Sequence, residues 1–170
     1  RLLAVCPGAE FGPAKRWPVQ HFSELCEFYL RHRWQVCLFG SANDSALASD
    51  ILHGIAVQYR PDCLNLTGKT SLAEAIDLLS ATDLVLSNDS GLMHVAAALQ
   101  KPLAAIYGST TADFTPPLAE QVKLLWHDID CRPCFKRECP YGHLRCLVDI
   151  KPDRVIQALE ELVPVNSPLS

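Results

Sequence analysis

The sequence predicts an α/β domain: a parallel sheet with helices on both faces. Two observations carry that reading. Short, continuously apolar runs recur along the chain and are not polar at alternate positions, as expected of strands buried on both sides. Between them lie segments whose apolar residues return at helical spacing, so strand and helix alternate about five times. At 170 residues and 49% hydrophobic composition there is material for one domain with a sizeable core.

Leu2–Cys6 is the first apolar run, stopped by Pro7-Gly8. From Pro18 to about His32, Phe22, Leu25, Cys26, Tyr29 and Leu30 recur at helical intervals. Val36–Phe39 is a second strand ended by Gly40, and a helix runs from Asp44 to Ile55 after the polar turn Ser41-Ala42-Asn43. Leu64–Leu66 is a weak third strand before Gly68. Ser71-Leu72-Ala73-Glu74 reads as a capping box, in which hydroxyl and carboxylate satisfy each other's backbone donors, and opens a helix to about Ala81. Leu84–Leu86, Leu103–Tyr107 and Val122–Trp126 are strands, and Leu92–Leu99 is a helix. Pro152 suits a first helical position and opens a helix through Leu162, beyond which Pro164–Ser170 is expected to fray. The whole is a Rossmann-like domain over 1–170.

Composition removes several function classes. A net charge of −4 lacks the basic footprint of nucleic-acid binding, so no nucleic-acid partner is expected. No apolar stretch reaches the roughly 18 residues of a membrane span. The chain opens at Arg1 directly into apolar residues, without an initiator methionine, and is read as a piece of something longer. Eight cysteines divide into Cys6, Cys26, Cys37 and Cys63, scattered among apolar neighbours, and Cys131, Cys134, Cys139 and Cys146 in one segment. With a periodic, core-rich chain around them they suggest a reducing cytoplasm more than a disulfide scaffold.

In such folds ligands sit at the carboxyl ends of the strands. The richest turn there is Ser87-Asn88-Asp89-Ser90-Gly91-Leu92-Met93-His94, running from a buried strand straight into a helix. The first helical N–H groups lack intrahelical partners and the helix end is electropositive, so the turn suits a phosphate. Gly91 admits a close approach, and Ser90 and His94 share one helix face. The plain alternative is that Asp89 or Ser90 caps the helix and His94 is a surface histidine. The second turn, Pro7 to Pro18, carries Lys15, either a phosphate-neutralising cation or a solvated loop lysine. Two look-alikes are set aside. Gly68-Lys69-Thr70 lacks the earlier glycine of a P-loop, since Cys63 stands there, and Asp89-Ser90-Gly91 lacks the flanking glycines of a nucleophile elbow.

Cys6-Pro7-Gly8-Ala9-Glu10-Phe11-Gly12-Pro13-Ala14-Lys15-Arg16-Trp17-Pro18 closely resembles a motif of the ADP-heptose:lipopolysaccharide heptosyltransferases (glycosyltransferase family 9), above all their type II branch. Asn88 to Leu99, Lys101-Pro102, Tyr107-Gly108 and Asp113 to Leu118 continue the likeness. The resemblance implies the second domain of a GT-B enzyme, in which two Rossmann-like domains face each other across a cleft. That half holds the nucleotide-sugar donor. The N-terminal half supplies the acceptor surface for the lipopolysaccharide inner core and an aspartate base, so no catalytic base is expected here and the chain alone is expected to be inactive. Carried over by motif, Lys15 touches the donor phosphates, while Asp89, Ser90, Gly91 and His94 bind pyrophosphate and heptose. Asp44 stands where related members have a longer acidic residue for the adenosine ribose. The resemblance also implies metal-independent, inverting transfer at the cytoplasmic face of the inner membrane, with peripheral membrane contact. Alternatives are a transferase using another nucleotide sugar, or a non-catalytic nucleotide- or metal-binding module.

The segment 131–146 has the spacing Cys131-x2-Cys134-x4-Cys139-x6-Cys146 and encloses Arg132, Lys136, Arg137 and Arg145. A structural zinc site is possible, with His143 as a substitute ligand. An iron–sulfur cluster, two disulfides, or four reduced thiols in a surface loop are the other readings. Its basic character suits an anionic acceptor, or simply a solvated face.

Overall fold

The computed structural model describes residues 1–166; the end of the tail, 167–170, lies outside the described residues. Strands β1 (Leu2–Cys6), β2 (Gln35–Leu38), β3 (Cys63–Asn65), β4 (Leu84–Asn88), β5 (Leu103–Ile106) and β6 (Val122–Leu125) form one sheet in the order β3-β2-β1-β4-β5-β6. All five pairings are parallel, with Val5 opposite Leu38 on one side and Leu86 on the other. The helices are α1 (Val19–Arg31), α2 (Ser45–Gly54), α3 (Leu72–Ser80), α4 (Gly91–Ala98), a single-turn α5 (Arg145–Val148) and α6 (Pro152–Leu162).

The sheet divides two cores by the pleat. Leu3, Val5, Leu84 and Leu86 face α1, α2 and α6, where Trp17, Phe22, Leu25, Ile51 and Leu159 are buried. Ala4, Cys6 and Val85 face α3 and α4, against Leu79, Met93 and Ala97. Each large apolar side chain taken fully from water in this way contributes roughly 1.5–3 kcal/mol. The α3 capping box forms as the sequence predicts: Ser71 Oγ accepts from the Glu74 amide at 3.3 Å, and the Glu74 carboxylate accepts from the Ser71 amide at 2.8 Å. Pro152 sits in the first turn of α6.

Two expectations need correction. Pro164 and Val165 do not fray: the Pro164 carbonyl accepts from Arg1, and the Val165 carbonyl accepts the indole N–H of Trp34 at 3.3 Å. The end of the cysteine segment 131–146, read from the sequence as a loop, enters a single helical turn, Arg145–Val148, that buries Cys146 and Leu147.

From β1 the chain winds outward to β2 and β3, then returns to place β4 on β1's other side. The strand order therefore reverses between β1 and β4. The loops leaving their carboxyl ends diverge there and leave a crevice.

Candidate functional site

Asn88 ties the two loops together at this switch point. It is fully buried, accepts the Trp17 amide at 3.2 Å and donates to the Pro7 carbonyl at 2.7 Å. The Pro7–Pro18 loop is thus fastened to the end of β4 at two places. Trp17 is fixed again by its indole N–H, which donates to the Ile150 carbonyl at 2.8 Å.

On this platform Lys15 ends a 3₁₀ turn, Pro13–Lys15, and meets the β4–α4 turn. Its Nζ lies 2.6 Å from Asp89 Oδ2, and the same oxygen accepts Thr110 Oγ1 at 2.6 Å. Asp89 is buried, its amide donates to the Ile106 carbonyl at 3.0 Å, and it lies outside the lining of the crevice. The ammonium group also stands 4.9 Å from the centre of the Phe11 ring. So Lys15 is no free loop lysine; a buried carboxylate and an aromatic face hold it.

Neither capping alternative for the Ser87–His94 turn is realised. Ser90 is the N-cap of α4 by backbone conformation, yet its side chain makes no cap bond and lies 3.2 Å from Ser87 Oγ. The first amides of α4 are left without a side-chain acceptor, at the electropositive end of the helix. A Cβ on Gly91 would meet nothing within 4 Å, so the approach to these amides is open. His94 is exposed one turn further along α4 and does not line the crevice.

The crevice is a cavity of about 550 Å³ running from these amides across to the β2 and β3 loops. Ser90 and Gly91 line it from the β4–α4 turn and Asp44 from the turn after β2. Asp44 is buried, and its Oδ2 accepts both the amide and the hydroxyl of Ser41 at 2.9 Å. Gly8 and Gly40 leave it room: a Cβ on Gly8 would lie 2.5 Å from the Asp44 carboxyl group. Glu10 reaches the same hydroxyl, at 3.3 Å. Phe39, Leu72, Ala75 and Val95 make an apolar wall, with Cys6 also in the lining. Burial pushes the Cys6 thiol up to about 12, which keeps it a neutral, apolar surface.

The structure therefore gathers Asp44, Ser90 and Gly91 around one cavity, with Lys15 and Asp89 paired beside it and His94 outside its lining. Sequence reasoning missed Glu10, Asn88 and the apolar wall. Within the P-loop look-alike Lys69 donates to the Asn65 carbonyl at 2.8 Å, while Thr70 lines the crevice. All four clustered cysteines are free thiols in a strap beside the Lys15 loop. Among the described residues, no three His, Cys, Asp or Glu side chains stand as a ready metal site.

Comparison with known proteins shows which sequences and folds the chain resembles. The lipooligosaccharide heptosyltransferase 2 of Haemophilus ducreyi is 45% identical over 165 residues, covering 95% of this chain and 47% of that protein. The lipopolysaccharide heptosyltransferase 2 of Salmonella typhimurium is 43% identical over 162 residues, again covering 95% and 47%. The solved ADP-heptose lps heptosyltransferase II of E. coli superimposes with a TM-score of 0.85 at 42% identity, over 95% of this chain and 46% of that one. The chain thus spans about half the length of the curated relatives it matches. Residues 1–145 match glycosyltransferase family 9 (heptosyltransferase), and the chain belongs to that family.

Proposed function

We propose that this chain is the donor-binding domain of an inverting heptosyltransferase, which holds ADP-heptose while an N-terminal domain presents the lipopolysaccharide inner-core acceptor and the base. The observation that carries the reading is the cavity itself, lined by the turn of uncapped α4 amides, an apolar wall and a buried carboxylate, with the fixed ammonium group of Lys15 beside it. A nucleoside diphosphate has the matching groups. Its diphosphate suits the Ser90–Gly91 amides beside Lys15, its base the wall of Phe39, Leu72, Ala75 and Val95, and its ribose hydroxyls the Asp44 carboxylate. His94 then faces the sugar side. The E. coli relative described as an ADP-heptose enzyme supports adenine as the base and heptose as the sugar.

The chemistry follows from where charge grows. Breaking the sugar–phosphate bond leaves negative charge on the departing ADP, and donors already aimed at that place lower the barrier. The α4 N-terminus contributes roughly 0.3–1 kcal/mol, up to about 2 if partly buried. A charged hydrogen bond from Lys15 adds about 1.5–3 kcal/mol. These donors fill the role a metal ion has in other transferases, so the reading assigns no cofactor to the transfer step. The site of action is the cytoplasmic face of the inner membrane, reached by peripheral contact; among the described residues no helix is long and apolar enough to cross a membrane.

Titration calorimetry of the chain with ADP, UDP and GDP tests the proposal. ADP binds, UDP and GDP bind far more weakly, and Lys15→Ala loses roughly tenfold or more of the ADP affinity, the loss of one charged hydrogen bond. Absence of heat with ADP overturns the donor role, and preference for UDP or GDP replaces ADP-heptose with another nucleotide sugar.

A further inference from the structure

The segment between β6 and α5 has no helix or strand from His127 to Leu144, yet it is folded tightly against the site. Its backbone is anchored at few points: the Arg137 carbonyl accepts the Ala14 amide at 3.0 Å, and the Phe135 amide donates to the Ser109 carbonyl at 2.8 Å. Arg132 donates to the Gly108 carbonyl at 3.0 Å and the Thr110 carbonyl at 2.9 Å. Phe135 and Tyr141 are exposed, so the strap has little apolar core of its own. An irregular segment of this length usually needs a staple.

The four remaining cysteines line one small recess. Cys131, Cys134, Cys139 and the buried Cys146 surround a cavity of about 10 Å³, room for one ion-sized guest. Cys131 and Cys134 flank a two-residue turn, and Phe135 after it is left-handed at φ 54°. The Gly142 amide donates to the Cys139 carbonyl at 3.1 Å, closing a turn at the recess. His143 is already engaged: its Nδ1 accepts the Arg145 amide at 3.0 Å, which puts the proton of the neutral ring on Nε2 and leaves no lone pair for a metal. That makes Cys146 the fourth donor.

We propose that Cys131, Cys134, Cys139 and Cys146 form a tetrathiolate site for a thiophilic divalent ion, zinc above all, which staples this strap against the Gly12–Lys15 turn. Soft thiolates in a four-donor set select such an ion. Among the described residues the sulfurs do not yet converge on a common point, so binding draws them inward around the recess. Each thiol gives its proton to solvent as its sulfur bonds the metal, with no change of oxidation state. The product carries a net double negative charge, which Arg132, beside Cys146, and the other cations of the strap offset.

The staple has a second consequence, which rests on the donor reading above. A Cβ on Gly12 would lie 2.5 Å from the Arg137 carbonyl oxygen, so the strap is in direct contact with the turn that presents Lys15. Fixing one fixes the other.

The chain is purified anaerobically under reducing conditions, its metal content measured, and the metal-free protein titrated with Co²⁺. The expected result is one zinc per chain and an intense thiolate-to-cobalt absorption band, both lost in Cys134→Ser/Cys139→Ser and kept in Cys37→Ala. If the double variant does not fold, release of zinc from the unaltered chain by a mercurial, in step with modification of four thiols, replaces it. Metal-free protein without a cobalt band, or disulfides among these cysteines in alkylation-trapped protein, overturns the proposal. Calorimetry with ADP separates the two readings. Removal of the ion should weaken ADP binding about fivefold or more, the lower range of site coupling. Metal without ADP binding leaves the staple and removes the donor role; ADP binding without metal does the reverse.

Discussion

Lys15 Nζ and Asp89 Oδ2 meet at 2.6 Å across 74 residues of sequence, and this pair joins the two loops that close the switch point of the sheet. Asp89 is almost fully buried and Lys15 nearly so, with 4% and 14% of their side chains exposed. In the proposed donor site the carboxylate therefore acts on a ligand only through the ammonium group it holds. The family resemblance implies Asp89 as a donor-binding residue; in the structure its carboxylate is engaged by Lys15 and Thr110 and lies outside the cavity lining.

Asp89→Ala is expected to do two kinds of damage. It leaves a largely buried ammonium group and the Thr110 hydroxyl unpaired, at a cost to folding near the lower end of the roughly 3–5 kcal/mol seen for broken buried pairs. It also frees Lys15, and ADP affinity falls. Lys15→Ala should lower affinity similarly but destabilise the fold through the opposite orphan, the Asp89 carboxylate. Urea denaturation with calorimetry on both variants and on Lys15→Ala/Asp89→Ala checks this: the double variant is more stable than the sum of the single losses implies, because neither charge is left alone.

Gly91 and Gly8 separate stability from binding. A methyl group on Gly91 meets nothing within 4 Å and sits in the first turn of a helix, so Gly91→Ala leaves the melting temperature unchanged or slightly raised. If a diphosphate closes on the α4 amides, the same methyl lowers ADP affinity. Gly8→Ala does the opposite in the fold, because its Cβ falls 2.5 Å from the Asp44 carboxyl group. Either Asp44 swings from Ser41 or the β1 loop shifts, and stability and affinity fall together. Thermal unfolding and calorimetry on the two variants distinguish these patterns.

The sheet and most helices were legible because each announces itself locally: the Leu2–Cys6 run, the helical return of Phe22, Leu25 and Tyr29, the Ser71/Glu74 cap. That Ser90 and Gly91 open a helix at the mouth of a crevice was legible too, since they follow directly on a buried strand. The apolar wall was not. Phe39 comes from the end of β2, Leu72 and Ala75 from α3 and Val95 from α4, and nothing in a linear pattern says that they meet. Nor does the sequence reveal that Asp89 is spent on Lys15, for that pairing depends on how the loop after β1 folds back on β4. The single turn of α5 is too short to show a period.

Asn88 is the residue whose loss should separate the two loops. Its amide bonds both the Trp17 N–H and the Pro7 carbonyl with no exposure to water. Asn88→Ala leaves two buried polar groups of the backbone unsatisfied, each costing about 1–3 kcal/mol. The expected loss of several kcal/mol is read from the shift of the urea midpoint. Loss of protection in the 7–18 amides by hydrogen exchange, with the sheet amides unchanged, would show that the damage is confined to the site. Uniform loss across the sheet would refute the clamp.

The dependence of stability on pH follows from the buried thiols and one histidine. Burial raises Cys6 and Cys63 to about 12 from an ordinary 9, and raises Cys26 as well. The folded chain therefore keeps these protons where the unfolded chain loses them. Their stabilising effect is complete below pH about 9 and declines as pH climbs toward 12. His21 shifts the other way: burial, then the nearby Lys151 charge, lowers it below 6.5, so its contribution is present above that value and fades as pH falls. Urea unfolding between pH 5 and 11 should give a plateau near neutrality and a fall on both sides. Each buried thiol adds about 1.4 kcal/mol per pH unit to the alkaline slope. Cys6→Ala should therefore make that slope shallower by about this amount between pH 9.5 and 11, even where the variant is less stable overall. An unchanged slope would mean that Cys6 ionises alike in the folded and unfolded chain, and that the wall of the cavity at this point is wet.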